Sequence, residues 1–421
     1  MRLLNLSWPG KHKVDGRLAL SRPRRIDAGV RDRTALYLSI LAATLFLPVG
    51  VHLPYFPVWL AARGLSDAEI ATVLAAPIAL RVIATPLIAT IADKRGIAIV
   101  LAACALAILI GYCGLGFARG YAPIFAGVIF VAMAMGAMPS LADALTLAEI
   151  RRADMAGSGR IAYGHVRVWT SIGVLAMMLL SGRIVGLFPG ERIIFALAGL
   201  AILPALVAIL AAATLKKAQF FHAQQDSPTA DRTRLLLAIV AIGAAALIQA
   251  SHAEVYSFAT LHWRKAGLSP DFISAAWAMG VASEALVMIV AARFFGAEKN
   301  AISFLVVGAA GAVLRWLAMS SDPDPWRLIM LQAGHGLSFG ATTCGSVLLL
   351  GSLAAATHRA RMQGWLAAAT ALSLAAATFA CGRLTDGYGE RAYLAMAALA
   401  GAGLALALVA GRIKLRLHAS S

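Results

Sequence analysis

The sequence predicts an all-α membrane protein in which twelve transmembrane helices form two pseudo-symmetric six-helix bundles. Three observations carry this expectation. Of 421 residues, 60% are apolar and 14% charged, with mean hydropathy +0.79, against about 25% charged in an ordinary soluble domain. The apolar residues gather in successive runs of about 20, long enough to cross a hydrocarbon core about 30 Å thick. Finally, the stretch Gly64–Arg81, GLSDAEIATVLAAPIALR, returns 203 residues later as Gly267–Glu284, GLSPDFISAAWAMGVASE.

Both copies open with Gly-Leu-Ser and continue as apolar helix. Ser66 has the chemistry of an N-cap, with Glu69 placed three residues on to complete a capping box, and Ser269 precedes Pro270 at the first helical position. Fifteen residues past each serine stands one full charge, Arg81 in the first copy and Glu284 in the second. At about 1.5 Å per residue each charge lies roughly 22 Å from its cap, well inside the bilayer. Six of the eighteen aligned positions are identical, so the matched buried charges of opposite sign are the informative part.

Twelve spans are read at roughly 34–62, 67–92, 97–117, 121–147, 163–186, 191–214, 235–263, 270–294, 300–319, 326–352, 360–382 and 391–411. They divide the chain into a basic tail (1–33), a first bundle (34–214), a linker (215–234), a second bundle (235–413) and a short tail (414–421). A second echo supports the division: Gly182-Arg183-Ile184 and Gly190-Glu191-Arg192 after span five match Gly382-Arg383-Leu384 and Gly389-Glu390-Arg391 after span eleven. Such a parallel duplication puts a substrate site near the midplane, between the halves.

Charge sets the expected orientation. With the N-terminus inside, 26 of the 37 Lys and Arg fall on the tail side and 9 on the other, Arg81 and Arg315 lying within spans. By the positive-inside rule both tails are cytoplasmic, and the +17 net charge needs no nucleic acid to explain it. Residues 1–33 lack the apolar core of a signal peptide; an over-early start codon would account for part of them. Cys104, Cys113, Cys344 and Cys381 are scattered without CxxC spacing, implying neither disulfide nor metal. There is no HExxH and no phosphate-binding glycine loop. The expected energy source is the proton motive force, with no cofactor, no enzymatic activity and no obligate protein partner.

Several stretches resemble the phenylpropionic acid permease branch of the major facilitator superfamily, related to nucleoside–proton symporters and distantly to the lactose permease. Tyr55-Phe56-Pro57-Val58-Trp59-Leu60 is similar to the family's FPxWL, and Arg81 and Glu284 to its paired intramembrane charges. Tyr163-Gly164-His165-Val166-Arg167-Val168-Trp169-Thr170-Ser171 resembles YGxxRxWGS, the most specific motif. Gln249, His252 and Tyr256 in span seven, Arg315-Trp316 in span nine, and Gln332 with His335 in span ten continue the likeness from about Leu38 to Leu408. Thr170 replaces the usual glycine, and Glu254 adds a carboxylate where the family tends to be apolar. The resemblance implies an inner-membrane secondary transporter, importing a small organic anion with an aromatic body together with a proton. Nucleoside or sugar symport, drug efflux and, in a different class, a non-transporting membrane sensor are the alternatives.

Each intramembrane charge costs about 2.5–3.5 kcal/mol on insertion scales and so needs a cavity or a partner. Arg81 can hold a substrate carboxylate through two parallel hydrogen bonds or pair with Glu284 across the pseudo-two-fold; both readings stay open. Glu284 and His335 are the proton-coupling candidates, His335 alternatively being a core histidine. Tyr55, Gln249, His252, Tyr256 and Gln332 are candidate substrate contacts or interhelical packing. Asp143 and Arg167 are read as a gate or a permanent ion pair, and Asp93, in Asp93-Lys94-Arg95-Gly96, as gate-stabilising. Arg315 is expected to snorkel to the surface, and Trp59, Trp169, Trp263, Trp316 and Trp326 mostly to sit in the interfacial aromatic belt.

Overall fold

A computed structural model describes residues 28–155, 163–215, 232–294, 300–353 and 359–419; most of the expected linker lies outside these. The first half contains α1 (Ala28–Leu45), α2 (Leu47–Ala62), α3 (Asp67–Arg95), α4 (Ile97–Phe117), α5 (Tyr121–Met155), α6 (Tyr163–Gly186) and α7 (Ile193–Thr214). The second contains α8 (Arg232–Ala250), α9 (Ala253–Ser257), α10 (Ala259–Lys265), α11 (Pro270–Phe294), α12 (Ala301–Met319), α13 (Pro325–Ala333), α14 (Thr342–Leu353), α15 (Arg359–Tyr388) and α16 (Ala392–Ala419). Eleven stretches of the described residues are long and apolar enough to cross a membrane. The last, Arg361–Leu417, is 57 residues long and holds two helices, because the single 3-10 turn at Gly389–Arg391 is too short to interrupt the apolar run. Helix also extends beyond the expected spans, starting at Ala28 and ending at Ala419.

The local signals behave as their chemistry requires. Gly64 and Gly267 both hold positive φ, 83° and 82°, a conformation that glycine adopts without steric cost. The capping box forms: Glu69 Oε2 accepts from the Ser66 amide at 2.8 Å, and Ser66 Oγ accepts from the Glu69 amide. Ser269 Oγ likewise accepts from the Phe272 amide at 3.2 Å.

Two helices of the second half are broken. Between α8 and α9 the His252 ring Nδ1 binds the Ile248 carbonyl at 3.0 Å, and the His252 amide shifts to the Gln249 carbonyl. A side chain thus competes with the backbone for a helical acceptor. Between α13 and α14 lies a π-turn, Gly336–Ala341, of the kind that interrupts helices at functional sites. A Cβ on Gly336 would lie 2.3 Å from the Ser283 carbonyl oxygen, so glycine lets this turn press against α11 beside Glu284.

The two echoes noted in the sequence meet in space. Gly182 on α6 abuts the start of α11, where a Cβ would stand 2.4 Å from the Pro270 carbonyl oxygen. Gly382 on α15 abuts the start of α3, where a Cβ would stand 2.6 Å from Ala71 Cβ and 2.9 Å from the Asp67 oxygen. Tyr55 Oη donates to the Pro270 carbonyl at 2.7 Å and lies 3.0 Å from Ser274 Oγ, which Ser181 Oγ also reaches at 2.8 Å. These contacts close the two halves against each other at the end carrying the Gly-Leu-Ser turns, called here the far end. At the same end His262 lies between Asp322 (2.9 Å) and Glu390 (2.7 Å), one carboxylate on each ring nitrogen, fastening three turns of the second half.

Trp59, Trp263 and Trp316 are buried, at 0%, 3% and 0% exposure. They are packing residues rather than belt residues, because their indole N–H groups or ring faces find partners inside the protein: Trp59 Nε1 donates to the Glu191 carbonyl and Trp316 Nε1 to Ser251 Oγ, while Trp263 packs on Trp277. Trp169 and Trp326 are exposed.

If the glycines set the far-end closure, a larger side chain must prop it open. Gly382→Leu is expected to cost the closed state about 1–3 kcal/mol, shifting the closed–open balance roughly ten- to a hundredfold. Labelling of a far-end cysteine by an impermeant reagent should rise accordingly.

Candidate functional site

Beneath the closed far end lies a two-chambered cavity between the halves. The larger chamber, about 820 Å³, carries the convergent polar groups Arg81, Gln249, Tyr256, Glu284, Arg315, Gln332, His335 and Thr343 on a largely apolar wall, and reaches toward the tail end at Pro86, Val347 and Gln363. A smaller chamber of about 330 Å³ is lined mainly by apolar groups, among them Leu53, Phe56, Val73, Leu74, Ile78, Val131 and Met135, with His52. Leu53, Ile78, Arg81, Gly136, Tyr256 and Leu374 line both. Volumes of this size, largely apolar with a few convergent polar groups, are those of small-molecule sites.

Arg81 therefore stands at the neck between the chambers. Gly136 on α5 makes room for it: a Cβ there would lie 2.7 Å from Arg81 Cγ and Nε. Among the described residues no carboxylate lies within ion-pair distance of Arg81, so the alternative pair with Glu284 is not formed in this state. Glu284, on the facing half, has a quarter-exposed side chain with one oxygen 3.9 Å from His335 Nε2, beyond hydrogen-bond length.

Arg315 departs most from expectation. It is 3% exposed and does not snorkel, because acceptors deep in the bundle take both of its Nη groups, only Nε–H being left without a partner. Nη1 donates to His335 Nδ1 at 3.1 Å and to Ser338 Oγ at 3.3 Å, Nη2 donates to Gln332 Oε1 at 2.7 Å, and the guanidinium sits 4.5 Å above the Trp316 ring. A guanidinium only donates, so His335 Nδ1 must accept and Nε2 must carry the hydrogen. That N–H points at Tyr256 Oη (3.4 Å) and toward Glu284. An ion pair between His335 and Glu284 would need a second hydrogen on Nδ1, facing Arg315, and the geometry excludes it. His252 is fixed the same way: Nδ1 donates to the Ile248 carbonyl, and Nε2 accepts from Ser338 Oγ at 3.0 Å.

The other candidates distribute as follows. Gln249, Tyr256 and Gln332 line the larger chamber, with Gln249 Nε2 donating to Thr343 Oγ1 at 3.0 Å. His252 is fully buried behind them and supports Tyr256 and His335. Tyr55 lines neither chamber, its hydroxyl being committed to the far-end closure. Asp143 and Arg167 lie 3.8 Å apart, both partly exposed and both in the first half, so this pair spans no interface between halves. Asp93 lies in the last turn of α3, three residues before Gly96 caps it with φ 103°. Sequence reasoning passed over His52, whose Nδ1 lies 2.9 Å from Tyr112 Oη and whose ring stacks on Phe56. The signal was there: His52 stands one helical turn before Phe56.

A family model described as the MFS_1-like family matches residues 36–395. The chain belongs to the MFS_1-like family. It is a multi-pass secondary transporter of this family and not an enzyme. A protein described as a probable 3-phenylpropionic acid transporter of Escherichia coli (strain K12) is 27% identical over 308 residues, covering 72% of this chain and 77% of its own. Among solved structures, a mutant of the nucleoside transporter NupG superposes with TM-score 0.73 at 15% identity, covering 90% of this chain and 99% of that one. A bacterial homologue of the human lysosomal transporter Spinster, inward-facing and unoccupied, gives 0.70 at 14% identity, covering 92% and 98%. At such identities these two likenesses establish the fold alone.

Replacing Arg315 by Met strands the acceptors of His335, Gln332 and Ser338. The expected cost is about 1.5–3 kcal/mol, the worth of a charged hydrogen bond, seen as a lower thermal midpoint in detergent. Lysine should rescue it poorly, since one ammonium cannot reproduce the fork.

Proposed function

We propose that this transporter imports a small organic anion with an apolar, aromatic body, such as a phenylpropionate, together with a proton. The single observation that carries the reading is Arg81, a cation without a protein carboxylate partner among the described residues, set at the mouth of an apolar chamber. A carboxylate on that guanidinium leaves the ring of an arylpropionate to fill the chamber beyond, against Phe56 and its neighbours. The charged residues of the cavity wall are Arg81, Arg315 and Glu284. With Glu284 ionised the wall is one positive charge in excess, which favours a monoanion. The resemblance to a probable 3-phenylpropionic acid transporter supports the same substrate class.

Glu284 is the proton carrier in this reading, and His335, held with its Nε2–H toward the cavity, is a hydrogen-bond donor to Glu284 or the substrate. The tail end is cytoplasmic by the excess of Lys and Arg there, so a cavity reaching that end is the inward-facing state of a bacterial inner-membrane importer. The two halves rock about the site to alternate access.

The experiment is a thermal-shift screen of the purified protein in detergent against aromatic acids, nucleosides and sugars. A ligand of the folded state stabilises by RT ln(1 + [L]/Kd), so the shift should grow with phenyl- or hydroxyphenylpropionate concentration. A shift only with nucleosides or sugars would overturn the anion reading. Arg81→Gln should weaken anion binding by roughly one to two orders of magnitude, the worth of a charge-assisted hydrogen bond. Glu284→Gln should abolish uphill uptake while retaining counterflow, because the amide keeps hydrogen bonding and carries no proton. Unimpaired proton-driven accumulation in that variant removes Glu284 from the mechanism.

A further inference from the structure

Glu254 is a buried carboxyl that the site above does not use. It lies in α9, the short helix isolated by the break at His252, and is 2% exposed. Val255, Tyr256 and Ser257 line the chambers, and Glu254 does not. Its side chain instead meets α15, where Oε1 accepts from Thr385 Oγ1 at 2.8 Å. Oε2 is out of contact with solvent and makes no ordinary hydrogen bond, the Cys381 thiol being the weak donor beside the carboxyl. The titratable groups facing it are Cys381 from α15, Asp67 from the start of α3, Glu390 from the turn after α15 and Tyr393 from α16. None of these four is a cation, and of them Glu390 is held by His262 at 2.7 Å.

Its position is specific. Cys381 and Thr385 bracket Gly382, the residue whose close approach to Asp67, Ala68 and Ala71 of α3 seals one flank of the far end. Glu254 thus sits directly behind that seal. As an anion in the closed state, it would leave one oxygen with only the weak Cys381 thiol as donor and no water, and with no cation in contact with it, an arrangement that is costly in a protein interior. As a neutral acid it carries no charge to compensate. When α3 and α15 part, water reaches the same carboxyl and can solvate its charge.

We propose that Glu254 is a second proton-binding residue, loaded from the far side, and that the far end closes stably only while Glu254 is neutral. This rests on the reading of the protein as a proton-coupled importer and adds to it a reason for order: proton uptake at Glu254 precedes closure over the substrate, and Glu284 handles the proton within the cavity.

The test reads closure directly and needs no substrate, so it is independent of which ligand is carried. Fluorophores are introduced at Leu187 and Tyr388, exposed positions at the far ends of α6 and α15, through non-cysteine chemistry that leaves Cys381 in place. Their separation is followed across pH in lipid nanodiscs. The wild type should shift toward the far-end-open distance as pH rises. Glu254→Gln should stay closed across the range. Glu254→Leu, which fills the pocket without any proton to lose, gives the same test should the glutamine variant not purify as a monodisperse protein. A pH response that persists unchanged in the Glu254 variants, or that is missing from the wild type, overturns the proposal. Failure of the organic-anion reading would show instead in the ligand screen, with this response intact.

Discussion

Backbone contact across the far end is the constraint from which the remaining geometry follows. Gly182 and Gly382 allow helix to touch helix with no side chain between, each against the opening turn of a Gly-Leu-Ser helix in the other half. Because the contacts form a pseudo-symmetric pair, the halves are held together at one end and left apart below it. The cavity, its mouth toward the tails and the burial of Tyr55, Ser181 and Ser274 all derive from that seal. Two backbones in contact also release cleanly, since no long side chains need to disentangle.

Below the seal, electrostatics shape the site. A charge inside a bilayer is tolerated where it faces water or is saturated by donors and acceptors, and the two arginines illustrate both solutions. Arg315 is held by acceptors on both Nη groups: its fork holds His335, Ser338 and Gln332, and so dictates which nitrogen of His335 points at the cavity. Arg81 faces the chamber with no carboxylate beside it among the described residues. The cation held by neutral acceptors builds the wall, and the one that meets no protein acceptor among the described residues is left for a ligand. Glu284 occupies the matching depth on the opposite half, beside a π-turn whose glycines let α11 approach.

Much of this was legible in the sequence. The helical membrane fold followed from composition and run length, and the Gly-Leu-Ser repeat located the two charges that line the cavity. The glycine echo was also visible, but its meaning was not, because a repeat says nothing of what its members touch. Arg315 was misplaced by the same limitation: eighteen apolar or neutral residues surround it within α12, and depth along a helix does not reveal the face, so snorkelling looked as reasonable as burial. Tyr55 resembled a substrate contact by motif, yet its hydroxyl belongs to the seal. The break at His252, which turns Glu254 away from the cavity, depends on a side chain taking its own helix's carbonyl, a choice settled by tertiary contacts with Ser338 and Trp316.

The central claim is that Arg81 binds a carboxylate whose apolar body lies in the smaller chamber. The most direct measurement is the affinity of the purified protein for 3-phenylpropionate and for its primary amide, compared by calorimetry in wild type and Arg81→Gln. The two ligands share shape and ring and differ in charge, so their ratio isolates the guanidinium contact. The account predicts a preference for the acid of about tenfold or more in the wild type, the worth of one charge-assisted hydrogen bond, and its loss in the variant. Equal affinities in the wild type, or a preference for the acid that survives in Arg81→Gln, would contradict it.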